Sequence, residues 1–232
     1  MTPPDAAGIL PLHGSVVHPI LATAARRATH HAAIQPNVEG RQVQLCEEQP
    51  EDWHDVEALM DLCFAPGRTA LSSYRLRDGV DPVPDLCLLL REDGTLRAAI
   101  RFWPVRVAGR PVLLLGPVAV HPTAQGEGLG AWLIQESLSR ARDIGWARVM
   151  LVGDAPYYSR FGFAKLGAVE MPPPTNPERV LGLELQPGAW VDVTGLVMRE
   201  TDPEVAPAHD GASDPDNCQE VEPRKDAPDG RR

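Results

Sequence analysis

Apolar residues recur along this chain in short segments that either alternate with polar residues or run without interruption, which is the pattern of β-strands. The predicted strands are residues 41–46, 85–90, 95–107, 111–120, 148–152, 164–170 and 179–185. Segment 111–120 is nearly all apolar, which indicates a central strand covered on both faces. Pro117 lies inside it and cannot donate to a ladder, so we expect the strand to bulge or to leave a neighbour there.

Between the strands, apolar residues spaced by three and four positions predict helices. Asp52 is the expected N-cap of the first helix, with Asp55 as its acidic partner, and Pro66-Gly67 ends it. Further helices are predicted at residues 69–78, 126–145 and 154–160. The apolar face of the long helix comprises Leu129, Leu133, Ile134, Leu138 and Ala141. The order β-α-α-β-β-β-α-β-α-β-β predicts an α/β fold with one crossover through the long helix.

The two ends of the chain lack this regularity. Residues 1–40 are rich in Ala, His and Pro, and we expect a poorly ordered N-terminal extension there. Residues 200–232 hold ten acidic and four basic residues with almost no large apolar side chains. Such a segment cannot bury enough surface to offset its ordering entropy, so it is predicted to be an acidic disordered tail. The predicted folded domain is residues 41–199.

Composition narrows the classes of function. A formal net charge of −10 argues against a nucleic-acid partner that is held through phosphate neutralisation. No apolar run reaches the ~20 residues of a membrane-spanning helix, and no basic region precedes a signal-like apolar stretch, so we expect a cytoplasmic protein without a membrane partner. The four cysteines stand far apart, which predicts free thiols, and no metal site is expected.

A glycine-rich loop, Gln125-Gly126-Glu127-Gly128-Leu129-Gly130, lies between the central strand and the long helix. Glycines let main-chain N–H groups converge on one point, and a helix N-terminus adds unpaired N–H groups and a positive dipole end. The loop therefore indicates capture of a phosphate or pyrophosphate by main chain, with a plain tight connection as the alternative. It lacks the Gly-Lys-Ser/Thr of a P-loop and the G-x-G-x-x-G spacing of a dinucleotide fold.

Two motifs together resemble the GNAT superfamily of acetyltransferases. Gln125-x-x-Gly128-x-Gly130, after the strand Val118-Ala119-Val120, resembles its pyrophosphate-binding motif. Residues 153–163, Gly-Asp-Ala-Pro-Tyr-Tyr-Ser-Arg-Phe-Gly-Phe, resemble its Tyr-x-x-x-Gly-Phe signature in the form of one bacterial branch. The resemblance covers about residues 41–197. It implies the acyl-CoA N-acyltransferase fold, a mixed and mostly antiparallel sheet that is flanked by helices and has a V-shaped split at the central strand.

The resemblance also implies a cofactor and a reaction. Acetyl-coenzyme A would bind at Val118, Ala119 and Val120 and at the glycine-rich loop, with its pantetheine arm bonded to main-chain groups of Val118 and Val120. Tyr158 would be the general acid that protonates the departing coenzyme A thiolate. Tyr157 is the rival for this role, and simple packing of Tyr158 is the alternative. The acetyl group would pass to a primary amine of a small molecule or peptide, by direct attack in a ternary complex.

The general base is not assigned, although His121 and Glu184 are candidates. Arg160 would position the tyrosine turn or the cofactor, or serve the fold alone. The alternative to an enzyme is a non-catalytic acyl-CoA-binding module that acts as a sensor or an interaction protein. A homodimer is compatible with either function.

The segment 64–76 falls where GNAT proteins shape the pocket for the acceptor. Arg68, Tyr74 and Arg75 could grip an anionic substrate there, or they could form a solvated helix face.

Overall fold

The computed structural model describes residues 42–202, and in this range nine strands form one sheet. The strands are β1 (Val43–Glu47), β2 (Leu88–Glu92), β3 (Thr95–Val107), β4 (Arg110–Val120), β5 (Arg148–Val152), β6 (Ala164–Lys165), β7 (Val169–Glu170), β8 (Val180–Glu184) and β9 (Gly195–Arg199). The helices are α1 (Trp53–Phe64), α2 (Ser72–Arg75), α3 (Leu129–Asp143) and α4 (Ala155–Tyr158). The α/β class is confirmed.

The strands lie in the order β1-β2-β3-β4-β5-β8-β6, while β9 pairs with the far half of β3 and carries β7 on its other side. β4 and β5 are parallel neighbours joined by α3, as the predicted crossover requires. β7 and β9 are also parallel, and the remaining pairings between described strands are antiparallel. The sheet is therefore mixed and mostly antiparallel, as the resemblance implied.

Helices cover both faces of this sheet. The predicted apolar face of α3 is buried against β2, β3 and β4, and Leu133 and Ile134 are fully buried. Burial of each of these two side chains stabilises the fold by about 1.5–3 kcal/mol. On the opposite face α1 buries Val56 and Met60 against Ala119 of β4. β4 is thus packed between α1 and α3. This packing holds the C-terminal end of β4 in place, and the candidate site begins there.

Two helix predictions were wrong in detail. Helix α3 begins at Leu129 rather than at residue 126, because Gly126 and Gly128 have φ of +86° and +84° and cannot continue a right-handed helix. Asp52 precedes α1 but does not cap it. Its carboxylate instead accepts from the Gln49 N–H at 2.9 Å and from Arg91 at 2.6 Å.

Other boundaries also differ from the predictions. The helix expected at residues 69–78 is limited to a 3₁₀ turn, Pro66–Ala70, followed by the four residues of α2. The strand expected at residues 164–170 is divided into β6 and β7, which pair with different neighbours. β9 was not predicted, because a five-residue strand with an exposed Leu196 carries little alternation.

The predicted disorder of residues 1–40 and most of the predicted tail lie outside the described residues. Glu200, the first residue of the predicted tail, forms an ion pair with Arg106 at 2.8 Å. The described cysteines Cys46, Cys63 and Cys87 are free thiols, and Cys218 lies outside the described range. Among the helices between residues 42 and 202, none is long and apolar enough to cross a membrane.

Candidate active site

The site begins where β4 and β5 separate. Over the described chain, these strands pair only at Leu113 with Val149 and at Leu114 with Met150. Beyond this point β4 stays paired with β3 up to Val120, whereas β5 stays paired with β8 on its other side. The register of β3 against β4 shifts opposite Gly116 and Pro117. The proline thus lies at a bulge, as the sequence predicted, and at the start of the V-shaped opening that the resemblance implied.

Main-chain groups of β4 face this opening. The His121 N–H donates to the Arg97 carbonyl at 2.8 Å. This bond determines which residues of β4 direct their N–H and C=O groups toward β3. Since successive residues of a strand alternate in direction, Ala119 bonds to β3 while Val118 and Val120 direct their N–H and C=O groups away from it. The Val120 carbonyl accepts from the Gln125 amide at 3.3 Å. Val118 and the Val120 N–H thus present an unpaired strand edge to the opening.

The glycine-rich loop closes one end of the opening. A Cβ built on Gly126 or Gly128 would meet no protein atom within 4 Å, so open space adjoins the backbone at both positions. The Trp132 N–H donates to the Gly128 carbonyl at 3.0 Å and is the donor of the first full turn of α3. The N–H groups of Gly130 and its neighbours precede that turn and lie at the positive end of the helix. This arrangement suits an anion.

The tyrosine turn forms the facing wall. Tyr157 and Tyr158 end α4, and their rings meet edge to face with centroids 4.9 Å apart. Tyr158 is half-buried and packs edge-on against Phe163, whereas Tyr157 is exposed over 38% of its surface. Burial, aided by the nearby Tyr157, raises the pKa of Tyr158 to about 12, and Arg179 opposes the shift. Its phenol is therefore a neutral hydrogen-bond donor at physiological pH.

These three parts enclose one cavity of about 480 Å³. The predicted residues that line it are Val118, Ala119, Val120, Gln125, Gly126, Gly128, Leu129, Gly130, Tyr157, Tyr158 and Arg160. Glu127 was predicted with the loop, but it is half-buried and does not belong to the lining. The structure therefore brings both sequence motifs to one site although a helix and a strand separate them along the chain.

Comparison with known proteins gives the family. The family model that matches residues 53–163 is that of the acetyltransferase (GNAT) family. The uncharacterized N-acetyltransferase YhbS of Escherichia coli K12 is 34% identical over 119 residues, which are 50% of this chain and 70% of YhbS. The chain belongs to the GNAT family. A second relative, the uncharacterized N-acetyltransferase YjhQ of the same organism, is 37% identical over 116 residues, 48% of this chain and 64% of YjhQ.

A solved structure agrees with this assignment. The crystal structure of E. coli YhbS in complex with CoA superposes with a TM-score of 0.60 and 29% identity, covering 68% of this chain and 90% of YhbS. The fold predicted from the resemblance is therefore confirmed. Within the GNAT fold, the cavity of this chain lies at the split between β4 and β5.

Some residues that line the cavity were not predicted from the sequence. Cys63 enters it from the C-terminal end of α1, beside Phe64, which begins the segment expected to shape the acceptor pocket, and Ala124 and Ala131 flank the glycine-rich loop. The Cys63 thiol donates to the Val120 carbonyl at 3.3 Å, and burial raises the pKa of that thiol although the hydrogen bond opposes the shift. In the sequence, Cys63 continues the helical spacing of Val56, Leu59 and Met60, and that spacing indicated only a buried helix face.

Neither candidate base lines the cavity. The His121 Nδ1 accepts from the Thr123 N–H at 3.3 Å and lies 2.8 Å from the Thr123 hydroxyl, in a capping turn after β4. The Glu184 carboxylate accepts from the N–H groups of Gly188 and Trp190, at 2.9 and 3.1 Å, and stabilises the loop after β8. Both side chains therefore serve local structure.

The arginines expected to grip an anionic acceptor are engaged by other groups of the protein. Arg68 is buried and donates to Glu57 at 2.5 Å, to Asp61 at 2.8 Å and to the Tyr74 hydroxyl at 2.8 Å. Arg75 donates to a main-chain carbonyl in the loop between β7 and β8. The expectation of a solvated helix face was also wrong for Arg68, because its charge is balanced inside the protein.

A second buried arginine extends this charged cluster across the sheet face. Arg101 of β3 is 3% exposed and donates to Glu48 at 2.8 Å and to Glu57 at 2.6 Å. Burial alone raises the pKa of Glu57, but hydrogen bonds from Arg68 and Arg101 outweigh it and the pKa is lowered. Glu57 therefore joins α1, β3 and the segment before α2, which together position the cavity wall at Cys63 and Phe64.

Proposed function

We propose that this GNAT protein is an acetyl-CoA-dependent N-acetyltransferase that acts on a primary amine of a small molecule or peptide. The observation that carries the proposal is the single cavity that joins the open edge of β4, the glycine-rich loop and Tyr158. A binding module without activity would need the first two parts and not a buried phenol.

The groups that line the cavity suit the chemistry of coenzyme A. The free space at Gly126 and Gly128 and the N–H groups at the start of α3 suit a diphosphate. Val118 and the Val120 N–H offer strand-like hydrogen bonds to the amides of a pantetheine arm. The complex of YhbS with CoA, a GNAT relative, supports this use of the fold.

Acetyl-coenzyme A supplies an activated acyl thioester when it is bound. In the proposed reaction the neutral amine attacks the thioester carbonyl directly, so that a C–N bond forms and the C–S bond breaks. Tyr158 donates its proton to the leaving sulfur, the nitrogen that attacked releases its extra proton to water, and water returns a proton to Tyr158. A free thiol has a pKa near ~8.5. Transfer from a phenol whose pKa burial raises to about 12 is uphill toward a free thiolate, so the donation accompanies C–S bond breaking, as negative charge develops on the sulfur.

The amine must lose a proton before it attacks. Among the described residues, those that line the cavity include no carboxylate and no imidazole. We therefore infer that the amine delivers its proton to water and reacts from its neutral form. Under this mechanism the acceptor is selected by its amine pKa and by the apolar Phe64 wall rather than by a protein base.

Two measurements on the full chain test the proposal. Isothermal calorimetry with acetyl-CoA should show saturable binding, and the melting temperature should rise with ligand concentration because the ligand binds only the folded state. A panel of primary amines should then yield at least one acceptor that releases free thiol and gains an acetyl group by mass spectrometry. Binding without transfer to any amine would favour the sensor alternative, and no binding would overturn both.

A further inference from the structure

Arg160 lies over the rings of the tyrosine turn and lines the cavity. Its guanidinium carbon is 4.0 Å from the centroid of the Tyr157 ring and 4.8 Å from that of Phe161. The Tyr157 hydroxyl in turn lies 3.5 Å from the position that a Cβ would occupy on Gly130. The stack therefore holds a cation next to the glycine-rich loop, although Arg160 is thirty residues away from that loop in the chain.

Arg160 stands out by its charge. Of the side chains in the described range that line the cavity, it alone is charged, and the loop itself offers only main-chain donors and a glutamine. Within residues 42–202, no carboxylate pairs with Arg160, whereas other arginines of this range, such as Arg68, Arg97 and Arg101, form ion pairs. An aromatic stack orients a guanidinium and leaves its edge donors available to a ligand.

We propose that Arg160 binds the diphosphate of coenzyme A, in concert with the main chain of the glycine-rich loop. The stack on Tyr157 orders the guanidinium before the ligand arrives, so that less side-chain entropy is lost on binding. Because its planar edge presents two parallel N–H donors, it can hold two phosphate oxygens at once. This inference rests on the proposed use of coenzyme A and adds the cationic residue that the loop lacks.

The test compares Arg160→Gln with the parent by isothermal calorimetry, with coenzyme A, dephospho-coenzyme A and pantetheine as ligands. Loss of a charged hydrogen bond should raise Kd about 10-fold for both diphosphate-containing ligands and leave pantetheine unchanged. The dependence of Kd on salt should become shallower. Arg142→Gln is the matched control, because it removes the same charge near the C-terminal end of α3, about 20 Å along the helix from the loop.

Two further variants test the stack. Tyr157→Phe keeps the ring and should bind like the parent, whereas Tyr157→Leu removes the ring and should raise Kd in the same direction as Arg160→Gln. Equal affinity of the parent and Arg160→Gln for coenzyme A would overturn the proposal. A loss limited to coenzyme A, with dephospho-coenzyme A unaffected, would assign the contact to the 3′-phosphate and also overturn it. Failure of the parent to bind any of the three ligands would instead contradict the proposed function.

Discussion

The ring of Tyr158 lies directly on Gly153. A Cβ built on Gly153 would come within 2.7 Å of Cδ2 of that ring and closer still to Cε2. Real Cβ atoms do not approach other atoms so closely, and Cδ1 of Leu151 would also lie 2.7 Å away, so a side chain at Gly153 would have to displace these neighbours. The absence of a side chain at Gly153, just after β5, therefore leaves the space that the Tyr158 ring occupies.

Gly153→Ala should displace Tyr158 and lower kcat by about 10-fold or more, since a proton donor acts only within hydrogen-bond reach. Overpacking should also cost about 1–3 kcal/mol of stability. The Kd for coenzyme A should change less than kcat. Gly167→Ala is the control, because a Cβ there meets no atom within 4 Å. Unchanged turnover in Gly153→Ala would show that the position of Tyr158 is not set by this contact.

Gly128→Val tests the loop. The residue has φ of +84°, and its missing Cβ faces open space rather than protein. A branched side chain there should strain the backbone by about 1–3 kcal/mol and also obstruct a phosphate. Gly79→Val is the matched control, since Gly79 has φ of +71° and open space but lies outside the cavity. Both variants should lose stability, and only Gly128→Val should lose affinity for coenzyme A by calorimetry. Equal affinities would remove the loop from the site.

Local patterns predicted the parts of the fold that local chemistry decides. Pro117 indicated the bulge because proline has no backbone N–H to donate to a ladder, whatever surrounds it. The glycine spacing indicated the loop because a residue without a Cβ adopts positive φ. Asp52 was misjudged because Arg91, which is remote in the chain, captures its carboxylate. The entry of Cys63 into the cavity depends on packing between α1 and β4, which the spacing of apolar residues does not encode.

The dependence of kcat/KM on pH tests which groups give up and accept protons in the proposed reaction. The rate should rise with pH as the acceptor amine loses its proton. No descending limb should appear below about pH 10, because burial raises the pKa of Tyr158 to about 12 and the phenol keeps its proton throughout that range. Steady-state assays of thiol release from pH 6 to 10 measure this profile. A descending limb near pH 8 would assign the acid to a different group.

Glu57→Gln should destabilise the fold, because it leaves the buried Arg68 and Arg101 without a shared carboxylate. The expected loss is about 1.5–3 kcal/mol in the free energy of unfolding, measured with urea at pH 7. Glu178→Gln is the control, since its exposed pair with Lys165 should contribute at most ~1 kcal/mol.

The effect of Glu57→Gln should also depend on pH in one direction. The folded protein lowers the pKa of Glu57 from its ordinary 4.5, so the carboxylate stabilises the fold above that value. The stabilisation is lost as pH falls through the lowered pKa. The difference in stability between the parent and the variant should therefore shrink as the pH falls below 4.5. A constant difference down to pH 3 would contradict the ion-pair account.

The most direct test of the proposed mechanism is the kcat of Tyr158→Phe with an accepted amine, measured beside the Kd for acetyl-CoA. The substitution removes one hydroxyl and keeps the packed ring. We expect kcat to fall by roughly 10²-fold and Kd to stay within about twofold, because the phenol acts on the leaving sulfur and not in ground-state binding. Tyr157→Phe should retain most of its activity. Full activity in Tyr158→Phe, or an equal loss in both variants, would contradict the assignment of Tyr158 as the proton donor.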